Sequence, residues 1–505
     1  MDSSPWVIFL CLLSLYPSPG LGQIPTNEHL ITASVAPTEA NIDTLEYVQV
    51  IWRHGDRSPA AVFDPQEEKL WPEGLGELTK TGMGQHYRLG KWLRQRYGKF
   101  LNEHFDRQEV YVRSSDFNRT LMSALANMAG LFPPQQKEVW DQELLWQPVP
   151  VHSVPKLQDK QLYEDIPCPL AEIENQIIYG SSVVKDIEKE NADFLKFLAD
   201  RTNSSNSGLG AMWRVYDSLN CQFYHNKTHH WPVWVNQSVF EQVVRLYDIG
   251  SRLKFHTEFL RRIRGGPLVE EMYHRFLDKS EGRLGSRAKL YAYSAHDTTL
   301  AAFLATLDIY PERFPLYATA VIVELHRVDG QPVVELYRKN ITDSPILYRT
   351  EIPGCGASCT LDGLHSIMSK YFPQNWEGEC GYKQETLTPY IVAIVILSTT
   401  TAIFGGILIF DIILKRRARP IGDSSLQSEP LINEADTTQG LGDILVRDDF
   451  IVPGRQRRAS NLDLEFLCFR AHNVDQVVTE KEVGARASVL SPETVFVPVD
   501  DELED

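Results

Sequence analysis

The chain has 505 residues, 43% of them hydrophobic, 10% aromatic and 23% charged, a composition that excludes a fibrous or wholly disordered protein. Its net charge of −17, with no long basic stripe, excludes a protein that wraps nucleic acid by general basicity.

In chain order, residues 6–15 form an apolar run too short to span a bilayer, followed by the small residues Ser18, Gly20 and Gly22. This predicts a secretory signal over residues 1–22, although Asp2 and the lack of an early Lys or Arg depart from the usual pattern. A polar leader follows, and residues 45–52, Leu-Glu-Tyr-Val-Gln-Val-Ile-Trp, read as a buried strand. Helical spacing runs over 78–97. A second strand is predicted at 109–113 and a helix at 120–130, stopped by Pro133 and Pro134. From about 141 to 280 the chain is first proline-rich and then helical, at 187–199 and 239–264, without a run of strands. Strands return at 289–294, 318–326 and 333–337. The pattern predicts one α/β core (about 42–140 and 281–385) carrying a mainly helical cap insertion.

A second apolar run, residues 389–414, is followed at once by Lys415, Arg416, Arg417 and Arg419, the pattern of a stop-transfer helix. The two segments predict type I topology: residues 23–388 luminal or extracellular and 415–505 a cytoplasmic tail, in a single-pass membrane protein of the secretory pathway. Sequons at Asn203, Asn226, Asn236 and Asn340 lie on the predicted luminal side and are expected to be glycosylated. A fifth, at Asn118, is expected to stay bare. The tail is acidic, lacks tyrosine and predicts little stable structure. Arg457-Arg-Ala-Ser460 resembles a basophilic kinase site, and Glu429-Pro-Leu431-Ile432 a dileucine-type sorting signal with Gln427 where an acidic residue is usual.

The residues that carry chemistry begin directly after the first strand, with Arg53-His54-Gly55-Asp56-Arg57-Ser58-Pro59. α/β enzymes place their sites at strand ends. Two arginines flank one histidine within five residues, and guanidinium is the group for multidentate contact with phosphate oxygens. Burying both is costly unless an anion neutralises them. No set of His, Cys and carboxylates in the sequence calls for a metal. Asp56 reads as structural support, His86 and His152 as packing residues, and His229 and His230 as surface residues.

This seven-residue string is similar at every fixed position to the signature of the histidine acid phosphatase family. Tyr111-Val-Arg-Ser-Ser-Asp-Phe-Asn-Arg119-Thr-Leu-Met-Ser-Ala124, Trp146-Gln-Pro-Val-Pro-Val-His152 and Ser294-Ala-His296-Asp297-Thr-Thr299 resemble further segments of the animal prostatic and lysosomal acid phosphatases. The likeness runs from about 45 to 385. It implies a three-layer α/β/α core around a mixed, phosphoglycerate mutase-like sheet, and hydrolysis of phosphate monoesters through a phosphohistidine on His54. By the same resemblance Arg53, Arg57 and Arg119 hold the phosphate, His296 donates to it, and Asp297 protonates the leaving group and then assists water. No cofactor or metal is implied. A bound phosphate favours the acid form of the proton donor, so best activity is expected at acid pH. The relatives are homodimers, which predicts a dimer.

Five cysteines lie between the two apolar segments. The resemblance implies the disulfides Cys168–Cys380 and Cys355–Cys359. It leaves Cys221 without a partner in the chain, a free thiol or a bridge between two chains, because Ala320 stands where the relatives carry its partner; the departure leaves the catalytic set untouched and bears on local stability near the cap. The long tail also departs from lysosomal relatives, so the lysosomal membrane and the cell surface are both open destinations. Two alternatives accompany the main reading: an inositol-phosphate or phytase-like phosphatase, and a phosphatase-like surface receptor acting through its tail.

Overall fold

The computed structural model describes residues 33–204, 208–225, 230–310, 313–356, 358–382 and 388–418. The signal segment, Asn226, His229 and nearly all of the tail lie outside these residues.

Beside short 3-10 turns, the chain runs β1 (Ala33–Val35), β2 (Leu45–Arg53), α1 (Lys80–Tyr97), β3 (Val110–Ser115), α2 (Asn118–Leu131) and β4 (His152–Val154). A helical stretch follows: α3 (Pro169–Tyr179), α4 (Ser182–Glu190), α5 (Ala192–Thr202), α6 (Met212–Tyr224), α7 (Gln237–Leu253), α8 (Glu258–Arg264) and α9 (Gly266–Ser280). The chain then returns through β5 (Leu290–Ala295), α10 (Asp297–Thr306), β6 (Ala320–Val328), β7 (Gln331–Lys339), β8 (Tyr348–Thr350) and β9 (Cys359–Thr360). It ends in α11 (Leu361–Met368), α12 (Trp376–Glu379) and α13 (Thr388–Arg417).

The sheet has the order β1-β8-β7-β6-β2-β5-β3-β4, with β9 on β7. Its β4-β3-β5-β2 half is parallel and the remainder antiparallel, so the sheet is mixed. Strand β2 is buried along both faces except at Glu46, which is why it reads as an almost unbroken apolar run. Tyr47 and Ile51 face a layer that contains Met272 and Phe276 of α9 and Phe303 of α10. Val48, Val50 and Trp52 face Leu89 and Leu93 of α1 and Met128 of α2. Helices therefore cover both faces, and the core is a three-layer α/β/α arrangement. Helices α1 and α2 pack backbone to backbone. A Cβ on Gly90 would lie 1.9 Å from the Asn127 carbonyl oxygen, and one on Gly130 2.1 Å from that of Tyr87.

A separate apolar cluster holds the helical insertion together, with Ile178, Val184, Leu198, Leu219, Val243 and Leu260 among its members. The insertion is smaller than its sequence suggests. Helix α9 turns Leu268, Val269, Met272 and Phe276 onto the sheet and so belongs to the core, while β4 joins the sheet edge. Both long helical readings also break. Asn191 leaves the helical region at φ −110°, ψ 16° between α4 and α5, where its side chain donates to the Ile187 carbonyl at 2.8 Å. Thr257 caps a new helix after α7 by accepting from the Leu260 amide at 3.2 Å.

Cys168 is bonded to Cys380, and Cys355 to Cys359. Cys221 is a free, buried thiol. Helix α13 is long and apolar enough over Ile391–Arg417 to cross a membrane. The chain separates into units of residues 1–406 and 407–505, a boundary inside this helix.

Candidate active site

The three central parallel strands end at one edge of the sheet, and each delivers a piece of the site. β2 ends in Arg53 and His54, β3 in Ser115 shortly before Arg119 on α2, and β5 in Ala295 before His296 and Asp297. This is where open α/β sheets bind ligands.

The loop after β2 is held from both helices of the neighbouring layer. Ser123 of α2 accepts from the Gly55 amide at 3.1 Å, and Gln85 of α1 accepts from the Asp56 amide at 2.8 Å. Thr79 caps α1 through the Gly82 amide and donates to Asp56 Oδ2 at 2.6 Å. His225 pairs with the same carboxylate from α6. Buried His86 donates from Nε2 to the Arg53 carbonyl at 3.0 Å. Asp56 and His86 thus have the supporting roles their sequence positions suggest. Gly55 is required by space: a Cβ there would sit 2.4 Å from the Gly82 carbonyl oxygen.

His54 is buried, and its Nδ1 lies 2.8 Å from the Gly55 carbonyl oxygen. A carbonyl only accepts, so Nδ1 carries the proton and Nε2 keeps its lone pair. Burial, and then the charges of Arg119, Arg53 and Arg57, push this histidine well below its usual pKa, so the lone pair survives in acid.

Around the imidazole stand the three arginines. Arg53 donates to the Pro315 carbonyl at 2.6 Å and forms an ion pair with Asp297 Oδ2 at 2.8 Å, and its guanidinium lies 4.1 Å from the centroid of the Tyr317 ring. Arg57 grips Asp217 of α6 through two nitrogens, at 2.8 and 3.2 Å. Arg119 lies over Phe117 and makes no carboxylate ion pair among the described residues. Burial and the charge of Arg57 lower its pKa to about 10. The buried Nε of each of the three arginines has no hydrogen-bond partner among the described residues. Three guanidiniums against two carboxylates leave donors and positive potential for an oxyanion.

His296 stands between Arg119 and Ser115, beside His54. Arg119 Nη2 stands 3.3 Å from its Nδ1, and Ser115 Oγ 2.9 Å from its Nε2. Arginine can only donate, so Nδ1 accepts and Nε2–H donates to Ser115. Both ring nitrogens are engaged within the protein, and the ring centroid lies 5.6 Å from that of His54. Asp297 opens helix α10, with Oδ1 accepting from the Thr298 amide at 2.8 Å and Oδ2 on Arg53.

Cys221, unpaired as expected, lies in the wall of the site: its sulfur is 3.1 Å from Tyr317 Oη and 3.7 Å from Arg57 Nη1. Burial and Asp217 raise the thiol's pKa, which keeps it neutral. Ala320 packs in the sheet, in a cluster without Cys221.

Sequence reasoning passed over Asp217, His225, Tyr317 and Glu164. Asp217 and Cys221 are four residues apart and share one face of α6, but nothing nearby in sequence ties that face to a strand end. Glu164 accepts from Thr299 at 3.1 Å just behind Asp297, and burial raises its pKa to about 7. One His-carboxylate cluster, Glu324, His326 and Glu335, does form although none stood out in the sequence. Arg96 occupies Glu324 at 2.7 Å and Tyr97 donates to the same oxygen, so the cluster is a buried salt-bridge network rather than an open metal cage.

Of the sequons, Asn203 and Asn236 are exposed and Asn340 half-buried. Asn118 donates to Glu77 at 3.0 Å. His152 stacks on Tyr111 at 4.6 Å.

Residues 44–339 match the model of the Histidine phosphatase superfamily (branch 2). The chain belongs to that superfamily. This histidine phosphatase is 47% identical over 366 residues to the Caenorhabditis elegans protein named "Putative acid phosphatase 5", covering 72% of this chain and 86% of that one. It is 38% identical to human prostatic acid phosphatase, over 66% of this chain and 88% of the relative. Identity to human lysosomal acid phosphatase is 36%, over 76% and 91%. Among solved structures, a Klebsiella phytase superposes with a TM-score of 0.51 at 17% identity, covering 66% of this chain and 98% of the phytase. That likeness concerns the fold of the histidine phosphatase domain alone.

Proposed function

We propose that this histidine phosphatase is an acid phosphatase that hydrolyses phosphate monoesters through a phosphohistidine on Nε2 of His54. The observation that carries the reading is the free Nε2 lone pair, fixed by the Nδ1–H bond to Gly55, among three arginines with unsatisfied donors. The phosphoryl group lies among Arg53, Arg57 and Arg119, which stabilise charge on its equatorial oxygens. Nε2 attacks phosphorus as the ester P–O bond breaks, and Asp297, as the acid, gives its proton to the departing alkoxide. The phosphorylated ring is then cationic, and the Gly55 carbonyl supports it through Nδ1–H. In the second step water attacks phosphorus, Asp297 takes its proton, and the P–N bond breaks to return neutral His54 and inorganic phosphate.

The other finer readings are proposals of the same kind. Residues 1–22 are a removable signal, 23–388 a luminal or extracellular catalytic domain, 389–414 the anchor and 415–505 a cytoplasmic tail. The abrupt basic flank after the apolar helix supports this topology. Exposed Asn203 and Asn236, with Asn226 and Asn340, are the glycan sites, and homodimerisation is expected by analogy with the relatives.

The deciding experiment is hydrolysis of an aryl phosphate by the full chain in detergent from pH 3 to 8, beside His54→Ala. Acid-optimal turnover that vanishes in the variant supports the reading. Turnover that survives in it defeats the nucleophile assignment, and a folded parent without turnover defeats the enzyme reading.

A further inference from the structure

Helix α3 is apolar on the wrong side as well as the right one. Ala171 and Ile178 are buried against the helical insertion. On the outer face Leu170, Ile173 and Ile177 follow one another at i, i+3 and i+7, and remain 41%, 48% and 54% exposed. A helix that is apolar on its solvent side also has something to cover it.

The covalent surroundings of α3 say what lies nearby. Cys168, its N-cap, is bonded to Cys380. The Leu170 amide donates to the Cys380 carbonyl at 3.2 Å, and Tyr382 Oη donates to the Pro167 carbonyl at 2.8 Å. The chain thus leaves the domain beside the first turn of α3. Five residues separate Tyr382 from the start of helix α13. Fully extended, that link reaches roughly 20 Å, so α3 cannot lie far from wherever α13 enters a bilayer.

We propose that the outer face of α3, with exposed Tyr382, rests in the headgroup layer of the membrane that α13 crosses. The inference rests on the reading of α13 as the anchor. Leu170, Ile173 and Ile177 enter the interface, and Tyr382 supplies the amphipathic ring favoured at that depth. Glu172 and Glu174 flank the stripe and the helix carries no Lys or Arg, so the surface suited to it is a zwitterionic leaflet and not an anionic one.

The test uses the full chain with Cys11→Ser and Cys468→Ser, Cys221 being buried, so that a thiol-reactive fluorophore labels only Ile173→Cys, Ile177→Cys or, as control, Val328→Cys at an exposed site on β6. Each is reconstituted into phosphatidylcholine vesicles with and without shallow nitroxide lipid, and phosphatase activity checks the fold. Quenching at 173 and 177 about twofold or more above that at 328 is expected for a face in the interface. Equal quenching at all three sites in protein that floats with the vesicles overturns the docking and leaves the anchor standing. Protein that does not float defeats the anchor and the docking with it. Quenching that depends on protein density instead of nitroxide overturns the proposal in favour of a second copy.

Discussion

At the residue scale, the site separates groups that act on the substrate from groups that hold them. Asp297→Asn should cost about 10² to 10⁴ in turnover of alkyl phosphates and much less with a nitrophenyl leaving group, because only the poor leaving group needs a proton. Equal losses on both would remove Asp297 from that role. Asp217 touches Arg57 but has no place in the reaction. Asp217→Asn leaves a buried guanidinium unpaired, a loss of about 3 kcal/mol, and bound phosphate should restore much of it as a replacement anion. A melting midpoint that falls without phosphate and recovers with it is the expected result; a loss indifferent to phosphate would mean Asp217 merely packs. The residues proposed to act on phosphate are legible because they sit in short strings at strand ends. Asp217 is not, since its partner lies 160 positions away and only the folded cap joins them. The contact between Arg119 and His296 is hidden for a different reason: it joins positions 177 apart through particular atoms of both side chains.

At the scale of elements, the loop bearing His54 is only as rigid as the α1–α2 pair behind it. Gly90→Ala would drive a methyl into the Asn127 carbonyl. Separating the helices should cost about 1–3 kcal/mol and loosen Gln85 and Ser123, the two side chains that hold the loop amides. Calorimetry and turnover should fall together; full activity in a destabilised variant would show that the loop does not need the pair. The strands and both of these helices were visible in the sequence, because β2 is continuously apolar and α1 has regular helical spacing. The helical insertion was harder. Its helices are short and consecutive, and a break such as Asn191 depends on a local side-chain bond that leaves the apolar period almost unchanged. Helix α9 was misassigned to the cap because its apolar spacing shows that it packs, not on which body. The strands β1, β4, β8 and β9, of two or three residues, are too short to leave a periodic signal.

Across the whole molecule, opposed titrations shape stability. His54, His86 and His296 are neutral in the fold, and burial holds His86 down to about 3. The unfolded chain protonates such rings below about 6.5, so their contribution is lost as pH falls from there. Glu67 and Glu164, raised to about 7 by burial, work the other way: they stay protonated in the fold and cost stability as pH rises from 4.5 to 7. Glu164→Gln should therefore gain in melting midpoint relative to the parent between pH 5 and 7, and a difference independent of pH would exclude this role. The bond between Cys168 and Cys380 has a mechanical consequence. It closes a ring across 212 positions, so tension drawn between the N-terminal strands and the anchor passes through sulfur and bypasses everything within the ring. Asp297 lies inside that unloaded ring, whereas His54 and Arg119 lie on the loaded arm. Traction strong enough to part β2 from β5 and β6 would draw His54 and Arg119 away from Asp297 while the ring itself stayed slack.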